Sequence, residues 1–228
     1  YGWFDFTPLA KATFALEYQI AGNNYLLSNY IQVILFGSVC TVLFVLLSRL
    51  FPKSSISLRI IAIVLFAIHP ANTQVVNSMP GRADLLSFLF YGLGVIYFWN
   101  WYEHKSRRHL LIGGIFSLFA LLSDSEIVTW LLLPFFILLV VKKESITRIF
   151  PLIGVVLTTV FIYWLYRATN ISEPNVLEVF NPLAEVSGFS GRLNTVAFTI
   201  GMYFKLLLYP KPLVSAYGFG HFNLVNEL

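Results

Sequence analysis

Charged residues are scarce in this sequence: Asp, Glu, Lys and Arg make up 11% of its 228 residues, whereas soluble domains carry about 25%. Apolar residues supply 57% and aromatic residues 17%, too much for a polar, water-facing surface to cover. The composition therefore excludes a soluble or disordered chain. The net charge of +4 does not indicate a nucleic-acid partner, because the basic residues stand in short clumps between apolar runs. The predicted partner is a lipid bilayer.

Cysteine is almost absent, and so are the common catalytic motifs. The single Cys40 lies in an apolar run, which excludes a disulfide framework and favours a buried, unreactive thiol. The chain has no Walker loop, nucleophile elbow, dinucleotide fingerprint or internal repeat, so nucleotide chemistry is not expected. Neither an H-x-x-x-H nor a D-x-D spacing supports a metal site; a divalent ion would have to draw on His69, Asp84, Asp124 and Glu126.

Long apolar runs dominate what is present. The first unambiguous one, residues 30–51, is long enough to cross about 30 Å of hydrocarbon. About seven membrane segments are predicted, over residues 30–51, 58–68, 85–102, 110–122, 127–141, 149–166 and 195–209. The predicted fold is an all-α, polytopic transmembrane helical bundle. Its domains would be an outer-face interfacial segment, residues 1–29, and one bundle domain, residues 30–228, that lacks an upstream first span.

Two of these segments are short. Residues 58–68 and 110–122 are 11 and 13 residues long, below the roughly 17 needed to span a bilayer. Their polar ends are then expected to lie below the membrane surface. Polar groups at that depth are tolerated inside protein or beside water-filled space, so the shortness predicts a vestibule.

Basic and acidic residues are distributed unevenly among the connections between the apolar runs. Alternate connections hold nine basic and two acidic residues, and the intervening ones hold three basic and six acidic residues. The positive-inside rule puts the basic connections in the cytoplasm. We therefore expect a multi-pass protein of a bacterial inner membrane or of the endoplasmic reticulum, with longer polar loops on the outer face.

The opening stretch is expected to form a helix along the outer membrane surface. Leu9, Leu16 and Ile20 can share an apolar stripe while Lys11 and Glu17 point away from it. Simple packing under the loops would explain the same pattern.

The polar loop from His69 to Leu86 is the candidate site. Arg82 is its only cation, and a guanidinium beside the free amides of a helix N-terminus suits a phosphate or pyrophosphate. The alternative is an ion pair from Arg82 to Asp84 or Asp124 that pins two loops. Asp84 can also cap the helix that follows.

Other ionisable residues on the same predicted face have two interpretations each. His69 could serve as a base or phosphate ligand, or as a structural donor to a nearby carbonyl. Asp124 and Glu126 could deprotonate a hydroxyl from inside a membrane vestibule, or cap the next helix.

These residues resemble a known family. The most specific likeness is the loop that holds His69, Pro70, Thr73, Val75, Val76 and the run Gly81-Arg82-Ala83-Asp84-Leu85-Leu86; Asn181-Pro182-Leu183-Ala184 with Arg192 adds to it. The sequence is similar to the membrane domain of the tetratricopeptide-repeat O-mannosyltransferases, of the C-type (GT-C) glycosyltransferase superfamily.

The resemblance implies an enzyme that transfers a mannose-like sugar from a polyprenyl-phosphate carrier to a hydroxyl acceptor, such as protein Ser or Thr, on the outer face. It assigns substrate binding to polar residues of the loop and beyond, namely Arg82, His69, Asn72, Gln74 and Arg192. The carboxylates available for catalysis are Asp84, Glu126, Asp124 and Asp5, the last being nearest to an acidic pair that the family carries farther upstream.

Three charged positions depart from the family pattern. Thr7 stands where the family has Arg, Gln74 where it has Glu, and Ser123-Asp124-Ser125-Glu126 replaces Ser-Lys-Glu. A catalytically inactive relative that serves as a membrane subunit or scaffold is therefore the second hypothesis. A transporter is a third, disfavoured because the ionisable residues gather on one side.

Overall fold

The computed structural model describes residues 7–141, 143, 145–170 and 189–209. Within those ranges the chain is helical and contains no β-strand, as the sequence predicts. The helices are α1 (Pro8–Ala21), α2 (Tyr25–Leu50), α3 (Ile56–Ile68), α4 (Asn72–Asn77), α5 (Gly81–His104), α6 (Arg107–Ser123), α7 (Leu133–Phe136), α8 (Ile146–Asn170) and α9 (Phe189–Leu208), with a 3₁₀-helix at Ser125–Leu132 and a π-helix at Ile137–Val141.

Local chemistry sets the boundary between α1 and α2. Pro8 occupies the first position of α1, where its missing N–H is not needed. Gly22 ends that helix with a positive φ of 61°, a conformation that suits glycine. The Asn24 side chain then accepts hydrogen bonds from the backbone N–H groups of Leu26 and Leu27 and so caps α2.

Helix α5 is the centre of the bundle. It packs against α2 and α6, and α6 packs in turn against α8. Its inward face contributes Tyr91, Val95, Phe98 and Trp101 to the hydrophobic core. The Tyr91 hydroxyl donates to the carbonyl of Trp130 at 2.8 Å, so a polar group enters the core only with a partner.

Small residues let α5 and α6 approach closely. A Cβ built on Gly113 would lie 2.5 Å from the Phe98 ring, and one on Gly94 would lie 3.3 Å from the carbonyl oxygen of Gly113. Close backbone approach at small residues is the common way that helices associate in membranes. The two helices therefore pack directly backbone to backbone.

The segment predicted as one membrane helix over residues 127–141 is not a single α-helix. The chain forms a 3₁₀-helix, the four-residue α7 and then a π-helix. Asp124 begins this stretch, accepting a hydrogen bond from the Glu126 amide at 2.9 Å, and Pro134 lies near its middle at the start of α7. Proline supplies no N–H to an α-helical ladder, so an apolar run alone did not ensure regular winding.

The seven predicted membrane segments are not all supported as spans in the part of the chain that the structure describes. Three helices there are long and apolar enough to span a bilayer: α2, α5 and most of α8. Helices α3 and α6 have 13 and 17 residues, at or below the minimum for a span. Helix α9 is long enough, but Arg192, Asn194 and Lys205 interrupt its apolar character.

The helix surfaces are strongly apolar. Helix α3 has no buried residue, and Leu65 is 60% exposed; Val33 and Ile34 of α2 and Phe161 of α8 are also exposed. Such surfaces are far more extensive than a protein in water tolerates. They indicate a lipid bilayer around the helices, and the chain is an integral membrane protein.

Contacts divide the described residues into two units. The first holds α1 to α3, the chain from Val75 through α8 and the core; the second holds residues 69–74 and α9. Helix α1 packs against α5 and α6 of the first unit; the predicted domain boundary near residue 29 stays a prediction.

Candidate functional site

The site is centred on Arg82, in the first turn of α5. Its side chain is 1% exposed, and Nη1 lies 2.5 Å from Oε2 of Glu17, whose side chain is 9% exposed. Glu17 belongs to α1, so the ion pair joins two helices far apart in sequence. The alternative that paired Arg82 with Asp84 or Asp124 named the wrong carboxylate, although it correctly described an ion pair that pins two segments.

Two further groups contact the guanidinium. Nη2 donates to the hydroxyl of Ser28 at 2.9 Å and to its carbonyl oxygen at 3.3 Å. The guanidinium carbon lies 3.9 Å from the centre of the Phe14 ring, within the range of a cation–π interaction. Nε is buried without a hydrogen-bond partner in the described chain. The cation is therefore held by α1, α2 and its own helix.

The carboxyl group of Glu17 is ionised in this setting. Burial raises its pKa, but hydrogen bonds from Ser28 and Arg82 and the positive charge of Arg82 outweigh burial, so the pKa lies below its ordinary value. Glu17 points away from the apolar stripe of α1, as the sequence predicts, and its direction is inward, toward Arg82. Leu16 and Ile20 are 59% and 82% exposed, whereas Glu17 points into the bundle.

A cavity of about 550 Å³ lies beside the ion pair. It is bounded by α1 and by the N-terminal ends of α2 and α5. Its wall combines apolar side chains with charged and amide groups; the residues that line it include Ala10, Lys11, Phe14, Glu17, Tyr18, Asn23, Asn24, Tyr25, Ser28, Met79, Pro80 and Ala83. Arg82 itself is behind this wall, since its partners Phe14, Glu17 and Ser28 line the cavity.

Tight packing fixes the start of α5. The amide of Gly81 donates to the Ser78 hydroxyl at 3.2 Å, and the Gln32 side-chain amide donates to the Ser78 carbonyl at 2.8 Å. A Cβ on Gly81 would collide with the backbone carbonyl of Val75. Only glycine fits there, so this turn places Arg82 firmly against α1 and α2.

The predicted carboxylates of the same unit lie in different surroundings. Asp84 is exposed in the first turn of α5, where it complements the positive end of the helix dipole. Asp124 is half-buried and caps the 3₁₀-helix through Oδ1, as the capping alternative expected. Glu126 is exposed on that helix.

His69 has a structural role in the second unit. Its Nδ1 accepts from the Ala71 amide at 3.2 Å, which leaves the proton on Nε2, and Nε2 donates to the Leu207 carbonyl at 3.0 Å. This is the arrangement that the structural alternative expected. Asn72 is half-buried, and Gln74 and Arg192 are exposed, all in this unit.

Some predicted residues cannot join the site described here. Asp5 and the Asn181–Ala184 motif lie outside the described residues. Among the residues that are described, no group of three or more His, Cys, Asp or Glu side chains could hold a metal ion. Cys40 is a free thiol that is half-buried, so it is less covered than the sequence predicts.

Sequence reasoning missed Glu17 and Ser28. Glu17 sits in a helix whose pattern fits a surface location, and nothing local points it toward residue 82. One signal was available: a lone Arg in an apolar chain needs a carboxylate, and α1 offers just one in the described residues.

The described residues form a helical integral membrane protein with a cavity at the N-terminal ends of α2 and α5. Protein O-mannosyl-transferase TMTC3 of Homo sapiens is 35% identical over 87 residues, 38% of this chain and 9% of the relative. Tmtc1 of Drosophila melanogaster is 32% identical over 126 residues, 55% and 14% of the two chains. TMTC4 of Mus musculus is 26% identical over 167 residues, 62% and 22%.

The resemblance seen in the sequence is thus confirmed: the chain resembles protein O-mannosyl-transferases. It spans between 9% and 22% of the length of these relatives. No family model and no solved structure matches it.

Proposed function

We propose that the chain is the membrane-embedded part of a glycosyltransferase that moves a mannose-like hexose from a polyprenyl-phosphate carrier to a hydroxyl acceptor, such as protein Ser or Thr. The observation that carries the proposal is the similarity to several curated relatives named protein O-mannosyl-transferases, which extends over 38% to 62% of this chain. The basic connections would face the cytoplasm, and the cavity would face the periplasm or the lumen.

The cavity supports this proposal because its wall suits an amphiphilic donor. Phe14, Met79 and Pro80 offer apolar surface near the membrane, while Lys11 and Asn23 offer polar groups. It also lies at the N-terminal ends of two spanning helices, where the helix dipoles favour an anion. A lipid phosphate could bind there with its isoprenoid tail against the exposed apolar helix surfaces.

Arg82 would bind the phosphate by exchanging one anion for another. In the structure, Nη1 of Arg82 donates a hydrogen bond to Glu17 and Nη2 donates one to Ser28. A phosphate can accept the same parallel N–H bonds as a carboxylate, so the donor would replace Glu17 without leaving the cation unpaired. The resemblance also assigns His69, Asn72, Gln74 and Arg192 to substrate binding; these residues belong to the second unit, and their role stays a prediction.

In the transfer step, a carboxylate would take the proton from the acceptor hydroxyl. The hydroxyl oxygen would bond to the anomeric carbon as the bond to the phosphate oxygen breaks, which releases polyprenyl phosphate. Of Asp84, Glu126 and Asp124, we favour Asp84 as base, because it shares the first turn of α5 with Arg82 and Asp124 is engaged in a cap.

The test uses full-length protein with polyprenyl-phosphate mannose and a Ser/Thr peptide. Arg82→Ala should lower transfer by about a hundredfold, the usual effect of removing one donor to a developing anion. Arg167→Ala, at an exposed arginine of α8, is the matched control and should leave transfer unchanged. Melting temperatures of both variants separate lost chemistry from lost structure.

A scaffold is the second candidate, and the buried ion pair favours it. Arg82 already has a complete internal partner in Glu17, and Thr7, Gln74 and the Ser123–Glu126 run depart from the pattern that the resemblance implies. This candidate expects no transfer by the full-length protein and lipid binding that is insensitive to Arg82→Ala. Transfer activity that is lost with Arg82 would contradict it.

A further inference from the structure

The C-terminal ends of α2 and α5 lie together at the end of the bundle opposite Arg82. Arg49, in the last turn of α2, donates from Nη1 to Oδ1 of Asn100 at 2.5 Å and to the carbonyl oxygen of Ile96 at 3.4 Å. These bonds fix the two helix ends side by side. The connections that leave them, from α2 to α3 and from α5 to α6, therefore emerge at one level.

Positive charge is concentrated in these two connections. Between residues 49 and 59 and between residues 103 and 108 the sequence has six Lys and Arg residues and one acidic residue. We call the six the basic end: Arg49, Lys53, Arg59, Lys105, Arg107 and Arg108. The acid, Glu103, accepts a hydrogen bond from Nε1 of Trp99 at 2.7 Å, so it is directed along its own helix.

The cations differ in how they are held. Arg49 bonds to α5, and Arg59 donates to the carbonyl oxygens of Ser54 and Ser55, which folds it against its own connection. Lys53, Arg107 and Arg108 are exposed. Three cationic groups are therefore available to a ligand from outside the bundle.

Aromatic rings position Lys105 at the same level. Its backbone takes a left-handed conformation, with φ of 52°, and ends α5 by a hydrogen bond to the Trp101 carbonyl. Its ammonium lies 5.0 Å from the Trp101 ring centre and 4.8 Å from that of Tyr102. Trp and Tyr are typical of the membrane–water interface, and only two residues separate α5 from α6. Arg107 and Arg108 are thus held at headgroup depth.

Apolar surface adjoins the basic end. Helix α3 begins between Lys53 and Arg59, and Ile56, Leu58 and Ile61 are 60%, 58% and 54% exposed. Acyl chains can cover these side chains while the phosphates of the same lipids meet the cations. The combination matches one occupant, the amphiphilic phospholipid.

We propose that the basic end binds the headgroups of anionic phospholipids in the leaflet it faces. Polybasic segments next to a membrane helix attract anionic lipids through their charge, and here two adjacent connections, from α2 to α3 and from α5 to α6, present that charge at one level. The site is separate from the cavity beside Arg82 and does not depend on the proposed transferase activity. A soluble acidic protein is the rival occupant, and the test below distinguishes the two.

The experiment uses purified full-length protein reconstituted in phosphatidylcholine bilayers that contain spin-labelled phosphatidylglycerol or spin-labelled phosphatidylcholine. The fraction of immobilised label reports each lipid's association with the protein. We expect preference for phosphatidylglycerol, lowered by added NaCl. Arg107→Gln with Arg108→Gln should reduce that preference by roughly fivefold per charge removed, at low salt.

The matched control removes two exposed cations elsewhere, by Arg167→Gln with Lys205→Gln, and should retain the preference. Insertion orientation is checked by protease accessibility in every sample, so that a changed topology is not mistaken for lost binding. Equal immobilisation of both lipids by the wild type would overturn the proposal, as would equal losses in the two double variants. Either result would leave a protein partner as the better occupant.

Discussion

The two ends of α5 use arginine and lysine in opposite ways. At the first turn Arg82 is 1% exposed and is neutralised by Glu17, with Ser28 and Phe14 completing its surroundings. At the last turn Lys105 lies over two aromatic rings, and Arg107 and Arg108 are exposed. A buried cation needs an anion inside the protein, whereas an exposed cation can bind a partner from outside. Position in a polar loop does not by itself distinguish these cases.

Replacing Glu17, the anion at the buried end, should have the largest effect on the stability of the protein. Glu17→Gln leaves Arg82 buried without a charged partner, and breaking one side of a buried ion pair lowers the free energy of unfolding by about 3–5 kcal/mol. The melting temperature in detergent measures this. The double variant Glu17→Gln with Arg82→Met removes both charges and should recover much of the loss. A Glu17→Gln variant as stable as wild type would mean that the pair contributes little.

Lowering the pH should reduce the stability that the Glu17–Arg82 ion pair provides, and this effect should be smaller than that of Glu17→Gln. The pKa of Glu17 is below 4.5 in the folded chain, so the folded protein binds this proton less readily than the unfolded chain does. The stabilisation is fully present above about pH 4.5 and is lost as the pH falls through the folded pKa. The melting temperature of wild type minus that of Glu17→Gln, followed with pH, should shrink in that window. A constant difference would contradict the assignment.

The exposed end should give the smallest effect on stability. Arg107→Gln removes a surface cation and should change the free energy of unfolding by no more than about 0.5 kcal/mol. Thermal melting beside Glu17→Gln, in the same detergent, makes the contrast direct. A loss as large as that of Glu17→Gln would show that Arg107 has a buried role and would remove the distinction between the ends.

The sequence was sufficient to predict the helical class and the membrane, because both follow from composition and long apolar runs. The sequence already marked residues 58–68 and 110–122 as too short for a span, and α3 and α6 have 13 and 17 residues. Hydropathy did not reveal the stretch of mixed 3₁₀, α and π winding that contains Pro134. Those features depend on backbone hydrogen bonding, which tertiary packing decides.

The candidate site was predictable only in part. Arg82 stood out as the only cation of its loop, and a structural role for His69 was one of the two interpretations that the sequence left open. Glu17 lies 65 residues from Arg82, and its pairing depends on how α1 folds back against α5. Apolar periodicity in α1 predicted that Glu17 lies away from the stripe of Leu16 and Ile20, but it could not identify the partner of the carboxylate.

The length of α5 sets the distance between its two charged ends. Helix α5 is continuous from Gly81 to His104, so the Arg82 and Lys105 positions are roughly 35 Å apart at ~1.5 Å per residue. That interval is slightly more than the ~30 Å thickness of a typical hydrocarbon core. A thicker or thinner membrane must therefore deform at its edges to meet the two charged levels, so bilayer thickness should influence where this protein resides.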